Sequence, residues 1–153
     1  MFFCLQRLVL VSLLFMIPLA QATEKEHILS AKEANQLSNN GQLLLVDIRS
    51  VEEWQQTGVA PQALLLSIHE KGGIPQFSQR LLKAVSGNKN KSIALICAGG
   101  VRSARVRRYL MQQGFRNITD VAEGMVGGWF TQGWIEQGLP IKTYKNDKVK
   151  AYF

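Results

Sequence analysis

Hydrophobic positions in this chain follow two alternating rhythms. The runs Leu43-Leu44-Leu45-Val46, Leu64-Leu65-Leu66, Ile93-Ala94-Leu95-Ile96 and Ile118-Thr119-Asp120-Val121 are short and nearly unbroken. Between them lie segments whose apolar residues recur at helical spacing. Near-continuous apolar strands are expected where both faces of a sheet are buried. Their alternation with helices predicts an α/β fold, a parallel sheet with helices on both faces.

The helices have recognisable ends. Ser30 is placed to cap a helix over residues 31–37, with Glu33 at the capping-box position and Asn39-Asn40-Gly41 as the stop. Pro75 opens a second, in which Phe77, Leu81, Leu82 and Val85 share a face before Gly87 ends it. Ser103 begins a third, with Val106, Leu110 and Met111 as its apolar stripe and Gly114 as its stop. A last helix is predicted over residues 125–137. Residues 142–153 carry four lysines with little apolar periodicity and read as an exposed basic arm.

The first residues read as an address. Arg7 supplies a positive charge, residues 8–19 are almost wholly apolar, and Ala20-Gln21-Ala22 fits a signal-peptidase site ahead of Thr23. The apolar stretch is shorter than the roughly 18 to 20 residues of a spanning helix, so cleavage is favoured over an uncleaved anchor. A periplasmic protein follows, with one domain over residues 23–141 and no stable membrane insertion after cleavage. Removal of residues 1–22 takes Cys4 with it and leaves Cys97 as the one cysteine, without an internal disulfide partner.

At 153 residues, 46% hydrophobic and 19% charged, the chain can bury a sizeable core, and no repeat or low-complexity run is present. Its formal charge of +7 suits small anionic substrates. No aromatic-interleaved basic strand suggests nucleic acid as a partner. His27 and His69 stand well apart, so neither a metal nor a cofactor is expected.

The chemistry concentrates in Ile96-Cys97-Ala98-Gly99-Gly100-Val101-Arg102-Ser103, a buried strand running through a glycine loop into a helix. Strand carboxyl ends of an open parallel sheet are where ligands bind. Gly99 and Gly100 allow the backbone to curl with amide N–H groups turned inward, and the helix N-terminus adds further donors. Arg102 adds a full charge. Together these favour a Cys97 thiolate and can hold an anion or a terminal sulfane sulfur. The plain alternative is an inert buried cysteine.

Cys97-Ala98-Gly99-Gly100-Val101-Arg102-Ser103 resembles the rhodanese active-site pattern. Val46-Asp47-Ile48-Arg49 is similar to that family's Asp-Val-Arg element, Glu53-Trp54 to its Glu-Tyr or Glu-Trp pair, residues 123–129 to its late Gly-Gly-x-x-x-Trp region, and Gly138-Leu139-Pro140 to its ending. Gly58-Val59-Ala60-Pro61-Gln62-Ala63 departs by lacking the histidine of Gly-His-Ile-Pro-Gly-Ala. The resemblance implies a five-stranded, mainly parallel sheet whose first strand lies near residues 27–29. It also implies a monomeric thiosulfate sulfurtransferase, with Cys97 as catalytic nucleophile and residues 98–103 binding substrate. The donor would be a small sulfur anion such as thiosulfate, and the acceptor cyanide or a thiol.

Two other functions stand beside this one. Related phosphatases place five residues between cysteine and arginine, where this chain has the four residues 98–101. A carrier or binding module would display the same loop without turnover. Asp47 and Arg49 read as a structural pair bracing the strand end. Arg105, Arg107 and Arg108 read as solvated, Trp54, Trp129 and Trp134 as core, and His69 as a loop residue.

Overall fold

A computed structural model describes residues 28–145. The predicted signal segment and the far end of the basic arm lie outside the described residues. Five parallel strands form the main sheet: β1 (Ile28–Leu29), β2 (Leu44–Asp47), β3 (Leu64–Leu65), β4 (Ile93–Ile96) and β5 (Ile118–Val121), in the order β1-β5-β4-β2-β3. β4 is central, and its Ile96 pairs in register with Asp47 of β2.

Alternate residues of the central strands face opposite layers, as the two-residue side-chain period of a strand requires. Val46, Ile93 and Leu95 pack with Phe77 and Leu81 of α3 (Gly73–Ala84) and Val106 and Leu110 of α4 (Val101–Gln112). Leu45, Ala94 and Ile96 face Ala31 and Ala34 of α1 (Ala31–Asn39), together with Met125 and Trp134. The sheet is therefore covered on both faces, as the apolar runs predict.

Ser30 caps α1 through the full capping box with Glu33. Ser50 and Glu53 form a second box on α2 (Val51–Thr57), a helix that the apolar period does not announce. Its buried face is essentially Trp54 alone, so the cap and the tertiary contacts at its ends hold it. α3 begins at Gly73, and Pro75 lies within its first turn, where a missing N–H costs nothing. α4 begins at Val101; Ser103 turns its hydroxyl to the Gly100 carbonyl at 2.8 Å instead of opening the helix as its cap.

Three expectations are corrected. No helix occupies residues 125–137. Turns surround a small antiparallel hairpin of β6 (Gly127–Gly128) and β7 (Thr131–Gln132), because Gly127 sits at φ +90° and the chain must reverse over Trp129 and Phe130. Trp134 is the buried indole, donating to the Pro140 carbonyl at 2.9 Å, whereas Trp129 is 98% exposed. Arg107 is buried, donating to the Ile118 carbonyl at 2.9 Å, while Arg105 and Arg108 are exposed as expected.

The start of the basic arm is also part of the fold. Lys142 pairs antiparallel with Val59, and Tyr144 is buried against Trp54 with ring centroids 5.5 Å apart. Tyr144→Ala is accordingly expected to destabilise the domain by about 2 to 4 kcal/mol in urea denaturation, through a lost aromatic contact and a cavity. An exposed arm would instead leave stability within about 0.5 kcal/mol of wild type.

Candidate active site

Cys97 follows β4 directly and is 1% exposed, packed into the layer that contains Ile48 and Val106. The loop after it has its acceptors and donors sorted. The Cys97 carbonyl receives the Met125 N–H at 2.8 Å, and the Ala98 carbonyl receives those of Val126 and Gly127 at 2.8 and 3.3 Å. The Gly100 carbonyl is taken by Ser103 and Ala104. The amides of residues 98–103 donate to no carbonyl among the described residues. Three filled carbonyls, those of Cys97, Ala98 and Gly100, and a run of open amides at the positive end of α4 make this loop a place for negative charge.

Two glycines permit that path. Gly100 has φ +81°, and a Cβ there would overlap the Ala122 carbonyl. Gly124 has φ +65° and lies against the Ala98 carbonyl. Gly99 has ordinary torsions, but a Cβ would meet the Gly127 carbonyl oxygen at 2.9 Å. Ala98 is half-buried on the loop, and Val101, at the start of α4, is exposed.

The Ser103 hydroxyl stands 3.5 Å from the Cys97 sulfur. While it donates to Gly100, its oxygen can accept from a thiol; rotation lets it donate to a thiolate.

Arg102 is held from two sides. Glu53 of α2 receives both arms of its guanidinium, at 2.8 and 2.5 Å, and His69 Nε2 lies 2.8 Å from Nη1. Because a guanidinium only donates, His69 accepts through Nε2 in this arrangement and carries its ring proton on Nδ1. The bond to Arg102, and after it the Ser50 backbone, hold the Glu53 carboxyl down at about 2 against the opposing effect of burial. The Arg102 guanidinium is in turn pushed up, first by Glu53, with a smaller attraction from Cys97.

Asp47 ends β2, and Arg49 lies just before α2. Both are fully buried; Arg49 Nη2 is 2.7 Å from Asp47 Oδ2, and its remaining donors reach Thr57 Oγ1 at 2.7 Å and the Gly58 carbonyl at 2.8 Å. The pair thus ties the end of β2 to the C-terminal end of α2, as the bracing role expects. Sequence reasoning missed Glu53 and His69 as partners of Arg102. Ser50-x-x-Glu53 was a readable capping signal for α2, whereas nothing local marks His69, which arrives from the loop after β3.

The fold and site define a parallel α/β domain that presents the buried Cys97 in an amide-lined loop at the end of its central strand. Residues 30–129 match the model of the rhodanese-like domain, and the chain belongs to that family. It is 27% identical to an uncharacterised protein of Rickettsia prowazekii over 75% of this chain and 95% of that protein. It is 32% identical to a tRNA uridine(34) hydroxylase of Sodalis glossinidius over 78% of this chain, and spans 33% of that protein's length. Among solved structures, a thiosulfate sulfurtransferase of Pseudomonas aeruginosa superposes with a TM-score of 0.60 at 18% identity, over 77% of this chain and 20% of that one. This last likeness concerns the fold.

The clamp has a measurable signature. Arg102→Ala should return the Glu53 midpoint from about 2 toward the ordinary 4.5, read by carboxyl-carbon NMR titration. Because the folded value is depressed, the clamp's stabilisation is fully present above pH 4.5 and is lost as pH falls through about 2. A Glu53 midpoint unchanged in the variant would show that Ser50, not Arg102, sets it.

Proposed function

We propose that this chain is a sulfurtransferase that carries sulfane sulfur as a persulfide on Cys97. The observation that carries the reading is the sorted loop: a cysteine bordered by amides with no carbonyl to serve and by the start of α4. Membership of the rhodanese-like family supports sulfur transfer as the chemistry.

With thiosulfate as donor, the Cys97 thiolate attacks the outer sulfur. A new S–S bond forms, the old S–S bond breaks, and sulfite leaves with its electron pair. The terminal sulfur of Cys97–S–S⁻ then sits where open amides can stabilise its charge. Cyanide attacks that sulfur, the S–S bond breaks towards Cys97, and thiocyanate leaves as the thiolate is regenerated. Two covalent half-reactions give ping-pong kinetics.

In this reading Ala98, Gly99, Gly100 and Val101 supply backbone donors, and Ser103 supplies a hydroxyl. Arg102 attracts the anionic donor while sharing its charge with Glu53. The size of the four-residue loop favours a sulfur atom over a phosphoryl group. The hydroxylase activity named for the Sodalis protein belongs to a longer chain, of which this one spans 33%. Export, with cleavage after Ala22, completes the proposal.

Thiosulfate should add about 32 mass units to the mature chain, cyanide should remove them, and Cys97→Ser should take up nothing; sulfur retained by that variant overturns the assignment. Arg102→Ala should keep its fold and lose roughly 10- to 150-fold in transfer rate, the value of a charge-assisted hydrogen bond of about 1.5 to 3 kcal/mol. Arg102→Lys should recover only part, since it lacks the planar fork. Protein recovered from the periplasm should begin at Thr23; an intact Met1 in the membrane fraction would replace cleavage with an anchor.

A further inference from the structure

Two large aromatics stand bare beside the candidate site. Trp129 is 98% and Phe130 100% exposed at the tip of the β6–β7 hairpin. The base of this hairpin is bonded to the catalytic loop, since the Val126 and Gly127 amides donate to the Ala98 carbonyl. Val126 and Val101, 52% and 82% exposed, continue the apolar surface around the loop. Exposed apolar groups gathered at one place mark interaction sites.

Charge says what kind of surface fits there. Val101, Arg105 and Arg108 recur at spacings of four and three residues, so they form one stripe along α4, and both arginines are exposed. α4 contains no acidic residue, and neither arginine has an ion-pair partner among the described residues. Aromatic and arginine side chains around an apolar centre are the composition of protein-binding patches.

A flat lipid surface is a poorer fit. The stripe runs back from the site along α4, which puts Arg105 about 6 Å and Arg108 about 10 Å behind Val101 along the axis. A flat bilayer that meets the exposed start of α4 at Val101 would leave these cations behind. A protein segment can bend around the same corner.

We propose that the Trp129–Phe130 tip and the Arg105–Arg108 stripe form a docking surface for an acidic protein segment that carries the acceptor thiol. The inference rests on the persulfide reading. The docked thiolate attacks the terminal sulfur of Cys97–S–S⁻, forming one S–S bond as the S–S bond to Cys97 breaks. The acceptor leaves as its persulfide anion, and Cys97 receives the electron pair as its thiolate.

The probe is a synthetic peptide with one cysteine flanked by leucines and aspartates, set beside a counterpart with lysines in place of the aspartates. Persulfidated protein should transfer sulfur to the acidic peptide about tenfold faster than to the basic one at low salt. Trp129→Ser with Phe130→Ser should lower the rate to the acidic peptide about tenfold while leaving the cyanide reaction within about twofold of wild type. Arg105→Glu with Arg108→Glu should reverse the preference between the peptides. Equal rates for both peptides, or an unaffected tip variant, overturn the proposal. Tip-dependent sedimentation with phosphatidylglycerol vesicles, without peptide discrimination, replaces the protein partner with a lipid surface. Anisotropy of labelled peptide on the Cys97→Ser protein reads docking alone. Binding without any sulfur transfer in the wild type would fail the persulfide reading only, and cyanide turnover without peptide binding would fail the docking only.

Discussion

The site depends on one backbone contact, in which the segment after β5 takes the carbonyls of the loop after β4. Met125, Val126 and Gly127 bond to the Cys97 and Ala98 oxygens, and Trp134 and Ile135 in turn bond to the carbonyls of Gly124 and Met125. Without that contact those oxygens would be free to turn inward, and the loop would present mixed polarity to the sulfur. With it, the Cys97 and Ala98 oxygens are committed while the loop's amides stay open. The close approach also explains the glycines, because Gly100 and Gly124 lie where a side chain would strike the opposite backbone. Met125 and Trp134, both fully buried, anchor this support from beneath.

The other side of the site is built from a buried charge. Removing one member of the Asp47–Arg49 pair would leave an unpartnered ion in the interior, a loss of about 3 to 5 kcal/mol. The pair's outward consequence is the placing of α2 beside α4, which neighbouring strands β2 and β4 make possible. Glu53 can then serve two tasks, closing the capping box with Ser50 and holding Arg102. One carboxylate thus couples the integrity of α2 to the orientation of the arginine. It also tempers the positive charge of Arg102, so in the proposed reading the fixed backbone donors would carry more of an anion's recognition than the motif alone suggests.

Much of the fold was legible because it rests on local rules. Four apolar runs marked strands within a residue or two, and Ser30 with Glu33 marked a helix start that the structure keeps. The strand, glycine loop and helix around Cys97 were equally plain. What could not be read depends on neighbours distant in sequence. Apolar spacing over residues 125–137 imitates a helix, yet the chain there is recruited to hold the loop of Cys97. Trp129 and Trp134 are indistinguishable by type, and only the hairpin decides which is buried. Arg107 differs from Arg105 and Arg108 by facing the Ile118 carbonyl, and Tyr144 gains its burial from Trp54 across the chain. His69 reaches Arg102 from a loop with no signal of its own.

Burial and access pull against each other at the nucleophile. A cysteine that is 1% exposed is protected from adventitious oxidation, yet a bound terminal sulfur must be reached by an attacking group. In the proposed mechanism an S–S bond would carry the reactive atom about 2 Å beyond the Cys97 sulfur. An outer sulfur directed to the loop would be more accessible than the resting thiol, and the open amides would meet its charge. In the proposed reading a thiol attached to a macromolecule would have to be brought to the loop in register, and residues 125–127, bonded to the loop's carbonyls, lead into the exposed hairpin. The contact that arranges the loop's donors also fixes the base of the hairpin, so the proposed chemistry and the proposed docking would share one structural support.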